Sequence, residues 1–290
     1  MSEHIASGRR LGASLVLALA LSVPGPGAAL LAAGRSAPVD AARAGDIGAL
    51  QAIAKAGGNV NVPAVDGTTP LLVASQRGDH AAVAFLLAHG AKADQANRYW
   101  VTPLRAAVIH GNIAVVETLL KAGAAADALH RESGDTPLML AARAGHAPVV
   151  RALLARGAKP DTAEPLRGQT ALMWAAAEGH PEVTRVLIEA GASTKALSKT
   201  KISPLMFAIR SGSIDTTKAI LDSGVNVNEP ASDGTRPLVL AIINAHLDLA
   251  AYLLERGADA RVEDPHGQPL LVLTFMRRAE NRALSTVLPR

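Results

Sequence analysis

The residues in this 290-residue chain best suited to chemistry are its histidines and carboxylates. His146, His180 and His246 form a spaced series, and Glu132, Asp135, Glu164, Asp233, Glu263 and Asp264 gather in polar stretches between apolar ones. Such groups could build a metal centre or an acid/base pair. Their context argues for a structural role. Each of the three histidines follows or replaces a turn residue, in Gly145-His146, Gly179-His180 and Ala245-His246, at a place held elsewhere by Asp46, Asp79, Asn112 and Ser213. Those are the residue types that cap helix N-termini. Metal ligands must sit about 2 Å from one ion, whereas equivalent positions on adjacent packed helices lie about 10 Å apart. The carboxylates read as solvated turn formers.

Local signatures of catalysis are absent as well. The sequence has no phosphate-binding Gly-x-x-x-x-Gly-Lys loop, no Gly-x-Ser-x-Gly elbow and no His-Glu-x-x-His. It contains no cysteine, which excludes disulfides, thiolate metal sites, a thiol nucleophile and a lipidated cysteine. The expectation is a protein that is not an enzyme, with no catalytic residues, no metal site and no cofactor.

The elements that would position any site are set by a repeating phrase. Thr69-Pro70-Leu71, Thr102-Pro103-Leu104, Thr136-Pro137-Leu138, Thr170-Ala171-Leu172, Ser203-Pro204-Leu205, Arg236-Pro237-Leu238 and Gln268-Pro269-Leu270 return every 32 to 34 residues. A fixed period of that length means a stacked solenoid. After each Pro comes a short Ala-rich apolar stretch that stops at Gly45, Gly78, Gly111, Gly145, Gly179 and Gly212, with Ala245 where the next Gly would fall. Pro suits the first turn of a helix and Gly its left-handed end. A second apolar run with helical spacing follows, as in Val115-Val116-Glu117-Thr118-Leu119-Leu120, and closes on pairs such as Gly123-Ala124 and Gly157-Ala158. With 49% hydrophobic but only 2% aromatic residues, the core must be built from Ala, Leu, Val and Ile.

Asp66-Gly67-Thr68-Thr69-Pro70-Leu71, Gly168-Gln169-Thr170-Ala171-Leu172-Met173-Trp174-Ala175-Ala176 and Gly224-Val225-Asn226-Val227-Asn228 carry a close resemblance to ankyrin repeats. The resemblance implies an all-α fold: a solenoid of stacked helix-turn-helix units with β-turn tips over residues 37–290. It has about eight units, the first degenerate around Ala41–Asp46 and the last truncated from Gly267. Terminal units of a solenoid are expected to be atypical, because each shows one face to water. Two departures carry expectations of their own. Where the family usually has His after Thr-Pro-Leu, this chain has Leu72, Arg105, Met139, Met173, Met206, Val239 and Leu271, so imidazole bonding between turns should be lost and packing should compensate. Trp100 and Lys201 stand where Gly normally precedes the phrase, and their turns should be distorted.

Residues 1–34 differ in kind. Arg9 and Arg10 lead into the uncharged apolar run Leu11 to Val23, followed by Pro24-Gly25-Pro26-Gly27 and small residues. Positive, apolar, then helix-breaking and small is the layout of a cleaved secretory signal peptide, with an uncleaved inner-membrane anchor as the alternative. Gly27 and Ala29, or Ala32 and Gly34, could hold the minus-three and minus-one positions before the cleavage site, and Arg9-Arg10 leaves twin-arginine export open beside the general route. The signal-peptide style suggests a Gram-negative bacterium, and the expected location is the periplasm or the exterior. A formal net charge of +4 over the chain, with no run of five like charges, is too dispersed for nucleic-acid binding.

Function then falls to the surface. The resemblance implies that turn tips and exposed first-helix positions meet a protein partner. Those positions hold Arg98, Tyr99, Trp100, Gln76, Arg77, Ile109, His110, Glu132, Arg143, Arg167, Glu178 and Arg210. Tyr99-Trp100 is the candidate anchor, since the chain has only two Trp and two Tyr and aromatics dominate binding energy at interfaces. Trp100 could instead fill a gap between units. Trp174 matches Val73, Ala106, Leu140, Phe207 and Leu240 in the apolar stripe and is expected in the core. The reading is a monomeric, non-catalytic scaffold or regulator binding a protein, with no nucleic acid and no membrane contact after signal cleavage. Its rivals are a secreted effector that binds host proteins and an enzyme whose site is assembled across repeats.

Overall fold

The computed structural model describes residues 37–261. The chain divides into two units, Met1–Gly34 and Arg35–Arg290, and every described residue belongs to the second. The expected signal peptide and the truncated last repeat from Gly267 therefore lie outside the described residues. Among the described residues there are fourteen helices and no strand, and no helix is long and apolar enough to cross a membrane.

The helices come in seven pairs, one per repeat unit: α1 Ala37–Ala44 with α2 Ile47–Lys55, α3 Pro70–Arg77 with α4 His80–Ala88, and α5 Pro103–Ile109 with α6 Ile113–Lys121. They continue as α7 Pro137–Arg143 with α8 Ala147–Ala155, α9 Ala171–Ala177 with α10 Pro181–Glu189, α11 Pro204–Ser211 with α12 Ile214–Leu221, and α13 Pro237–Ile243 with α14 Leu247–Glu255. Each first helix packs on its own second helix and on the first helices of its neighbours. The stack thus forms one row of first helices backed by a row of second helices.

Local chemistry explains why the first helices begin where they do. The hydroxyl of Thr69 accepts from the Leu72 amide at 3.1 Å, and Thr102, Thr136, Thr170 and Ser203 repeat the bond at the starts of α5, α7, α9 and α11. Such a cap satisfies an amide that the helix itself leaves unpaired. Leu71, Leu104, Leu138, Leu172 and Leu205 then turn inward and are nearly or completely buried. Their equivalence along the array means each slab adds the same apolar layer to the next. Burying a Leu side chain is worth about 1.5–3 kcal/mol, so the repeated leucines carry much of the stacking.

Side chains also clasp one unit to the next at the turn between the paired helices. His146, His180 and His246 occupy the cap position of α8, α10 and α14 but make no capping bond. Each Nε2–H instead donates backward to a carbonyl of the preceding unit: Ile109 at 3.4 Å, Arg143 at 3.0 Å and Arg210 at 3.2 Å. Because a carbonyl only accepts, the proton must sit on Nε2. The rings lie flat over Gly111, Gly145 and Gly212, where a Cβ would come within 3 Å of ring atoms. Glycine is thus required at these turns both by its left-handed φ and by the ring above it. Imidazole bonding between turns, expected to be missing, is present but issues from another position. Asn112 donates to Gly78 and Arg77 to Arg43 at the two earlier junctions.

A second clasp lies in the loops after the second helices. Asp94, Asp127, Asp161 and Asn228 each accept an amide of the following loop, from Ala125, Lys159, Ser193 and Asp259. Lys195 stands at the equivalent place after α10, and an ammonium has no acceptor to offer. At that same junction Ser213 bonds within its own helix, to Thr216. Among the described residues, therefore, the joint between the fifth and sixth units lacks both clasps. Apolar packing and the tip bonds of Lys199 carry this joint instead: Met173 and Ala176 of the fifth unit share a buried cluster with the sixth and seventh units, and Lys199 donates to the carbonyls of Arg167 and Pro165.

The turns at Trp100 and Lys201 are not distorted as expected. Both residues adopt the left-handed conformation of the glycines they replace, with φ of 60° and 59°, and Ala245 does the same at 58°. The backbone geometry is kept and the side chain bears the strain, since a Cβ in that region crowds the following carbonyl. Ala245→Gly is therefore expected to stabilise the chain by about 0.5–1 kcal/mol. The gain would appear as a higher urea midpoint with an unchanged slope.

Candidate functional site: the first-helix face and its turn tips

All twelve residues expected to meet a partner are exposed. The structure sorts them into three places. Arg143, Arg167, Glu178 and Arg210 meet in one groove. Gln76, Ile109 and His110 line a second hollow together with Arg43, Leu72, Val73 and Asn97. Arg98, Tyr99, Trp100 and Glu132 stay on the tips, while Arg77 is committed to its bond with Arg43.

The tips are held by local hydrogen bonds. Asp66 accepts from the Thr68 amide at 3.0 Å and from its hydroxyl. Those bonds keep its carboxyl below the usual carboxylate range, and Thr235 does the same for Asp233. Adjacent tips are tied by backbone bonds, Arg98 amide to Asp66 carbonyl and Lys199 amide to Arg167 carbonyl. On this frame the apolar side chains of Val65, Tyr99 and Leu166 project into solvent. Tyr99 and Trp100 are 52% and 40% exposed, and each carries a guanidinium on its ring, Arg98 at 4.8 Å and Arg131 at 4.2 Å. Trp100 thus shows part of its ring to solvent, with Arg131 of the next tip across its face.

Two of the carboxylates expected to be solvated are buried. Asp135 is 4% exposed and binds Arg105 of the preceding unit through two parallel bonds of 2.9 and 3.1 Å. Burial alone would raise this carboxyl, but the bonds from Arg105 and Ser133 and the charges of Arg105 and His130 outweigh it and hold the group below the usual range. Arg105 occupies the place of the family histidine, so at this one unit an ion pair, not packing, makes the link. Glu164 is also 4% exposed. Its carboxylate accepts the amides of Leu166, Arg167 and Gln169 at 2.7 to 3.1 Å and winds the tip around itself. Glu132 and Asp233 are exposed as expected, while Glu263 and Asp264 lie outside the described residues.

The expectation for Trp174 also needs correction. It is only partly buried and packs against the edge of the core, whereas its equivalents Val73, Ala106, Leu140 and Phe207 are buried. Its outer edge lines a groove of about 460 Å³ between α7, α9 and α11, whose other walls are Arg143, Arg167, Gln169, Glu178, Phe207, Arg210 and Ser211. The Arg143 guanidinium lies over the indole at 5.0 Å, and the indole N–H has no acceptor among the described residues. The sequence did contain a signal for this groove: the largest side chain of the stripe, with Arg143 near the end of the first helix one unit before it and Arg210 near the end of the one after it.

Among the described residues no three His, Cys, Asp or Glu side chains come together as a metal-holding group. The face offers charge, hydrogen-bond donors and apolar edges for recognition.

Comparison with known proteins agrees with this geometry. A family model described as ankyrin repeats (3 copies) matches residues 39–130, 122–198 and 190–264. The chain belongs to the ankyrin-repeat family. Among solved structures it is similar to the human ASB11 ankyrin repeat domain, with 27% identity and a TM-score of 0.67 over 77% of this chain and 98% of that one. No curated protein matches it. Ankyrin repeats are in general protein–protein interaction modules, and the family is typically a non-catalytic scaffold.

Proposed function

We propose that this ankyrin-repeat protein is a monomeric, non-catalytic scaffold or regulator of the bacterial periplasm, exported by its N-terminal segment and binding a partner protein through the first-helix face and the turn tips. The observation that carries the reading is the contrast between a rigid frame and an uncommitted surface. Backbone at the tips and helix ends is pinned by Glu164, Asp66 and the histidine clasps. The side chains that this frame presents are exposed aromatics and guanidiniums, the types enriched at binding hot spots. Arg9, Arg10 and the apolar run to Val23 support export.

Cell fractionation tests the location. A mature chain shorter by about 30 residues in the periplasmic fraction is expected, and recovery from culture medium or host cytosol would replace the scaffold by a secreted effector. Affinity capture from periplasmic extract tests the anchor. Tyr99→Ala with Trp100→Ala should lose a specific partner while thermal unfolding stays the same, and undiminished capture would remove these two residues from the interface.

A further inference from the structure

Among the described residues, the groove between α7, α9 and α11 has three guanidiniums, from Arg143, Arg167 and Arg210, against the single carboxylate of Glu178. None of the three makes a side-chain hydrogen bond or ion pair with a described residue; the aromatic wall of Trp174 and Phe207 lies beside them. We propose that this groove receives an acidic segment of the partner protein, with a carboxylate side chain held among the three arginines and a neighbouring apolar side chain laid against Trp174 and Phe207. The proposal rests on the scaffold reading and names the chemistry of its partner.

Charge complementarity is one half of the case and preorganisation is the other. The Arg143 carbonyl is bound by His180 at 3.0 Å and the Arg210 carbonyl by His246 at 3.2 Å. The Arg167 amide is held by Glu164 at 2.8 Å and its carbonyl by the Lys199 amide at 2.8 Å. All three backbones are fixed while the charged ends are unpaired, so the ordering cost that remains when a carboxylate arrives is that of the arginine side chains alone. Guanidinium is the cation best matched to a carboxylate, because its planar fork donates two parallel bonds. A nucleic acid fits less well. It needs a basic track along its backbone, whereas Glu132 stands on a neighbouring tip and Glu178 in the groove itself.

The chain has two tryptophans, so in a Trp100→Gly background the emission of Trp174 reports on the groove alone. Peptides would be selected from a displayed random library on the full chain, then titrated against that variant and against the same variant carrying Arg143→Glu and Arg210→Glu. The expected result is enrichment of Asp- and Glu-rich peptides that change Trp174 emission, bind less tightly as salt rises, and bind the charge-reversed chain about 30-fold or more weakly. Thermal unfolding of both variants supplies the fold control. Neutral or basic peptides, or equal binding to the charge-reversed chain, would overturn the acidic-segment assignment and leave the scaffold reading standing. A single-stranded oligonucleotide that perturbs Trp174 as strongly as the peptides would overturn it too. Failure to enrich any peptide would count against both.

Discussion

Asp135→Ala is expected to destabilise the folded chain by about 3 kcal/mol, because it strands the half-buried Arg105 charge without a partner. The lower end of the range for a broken buried pair applies, since the Arg105 side chain keeps 15% of its surface in water. Arg105→Met alone should cost a similar amount by leaving the carboxylate unpaired. The double change Arg105→Met with Asp135→Leu should recover most of the loss, as apolar replacements of a buried pair often do. Urea unfolding of the four chains closes the cycle, and additive losses would show that the two groups do not act as a pair. The acid limb follows from the same bond. Asp135 is held below its ordinary value of 3.8, so its contribution is fully present above that pH and is lost as pH falls through the lower folded value. Asp135→Asn should therefore flatten stability against pH below about 4.

Glu164→Ala should cost a comparable amount, about 3 kcal/mol, since hydrogen bonds to a charged acceptor are worth about 1.5–3 kcal/mol each and several are lost together. Solvent reaching the opened tip limits the total. Glu164→Gln retains one carbonyl acceptor and should lose about half as much. The two effects differ in reach. Loss of Asp135 loosens a joint between units, whereas loss of Glu164 unwinds the tip that carries Arg167, so it should weaken partner binding beyond its effect on stability. Chemical denaturation and peptide titration on the same samples would separate them. A Glu164→Ala chain with native stability would show that the four short bonds do not hold the tip.

What was legible in the sequence is what short-range chemistry determines. Pro70, Pro103 and Pro137 mark helix starts because of their missing N–H, and Thr69, Thr102 and Thr136 just before them cap those starts by accepting from the amide three residues on. The twelve surface positions could be placed because a repeat carries exposure from unit to unit. Links between units were harder to read. Arg105 and Asp135 are separated by 30 residues, and only the stacking of slabs brings them together. Glu164 looks like any polar turn residue, since nothing nearby says that its carboxylate faces inward. The positions of His146 and His180 were legible, but the direction of their rings was not. Trp174 and Phe207 hold equivalent places, yet only Phe207 is buried, a difference that repeat position does not encode.

The missing clasps between the fifth and sixth units have a mechanical consequence. Pulled by its two ends, the array resists at that joint through the tip bonds from Lys199 to Arg167 and Pro165 and through Met173 and Ala176 packed into the next cluster. Arg143, Arg167 and Trp174 stand on one side of that seam and Phe207 and Arg210 on the other. A ligand seated in the groove would bridge the two sides, and the force needed to part them should rise when it is present.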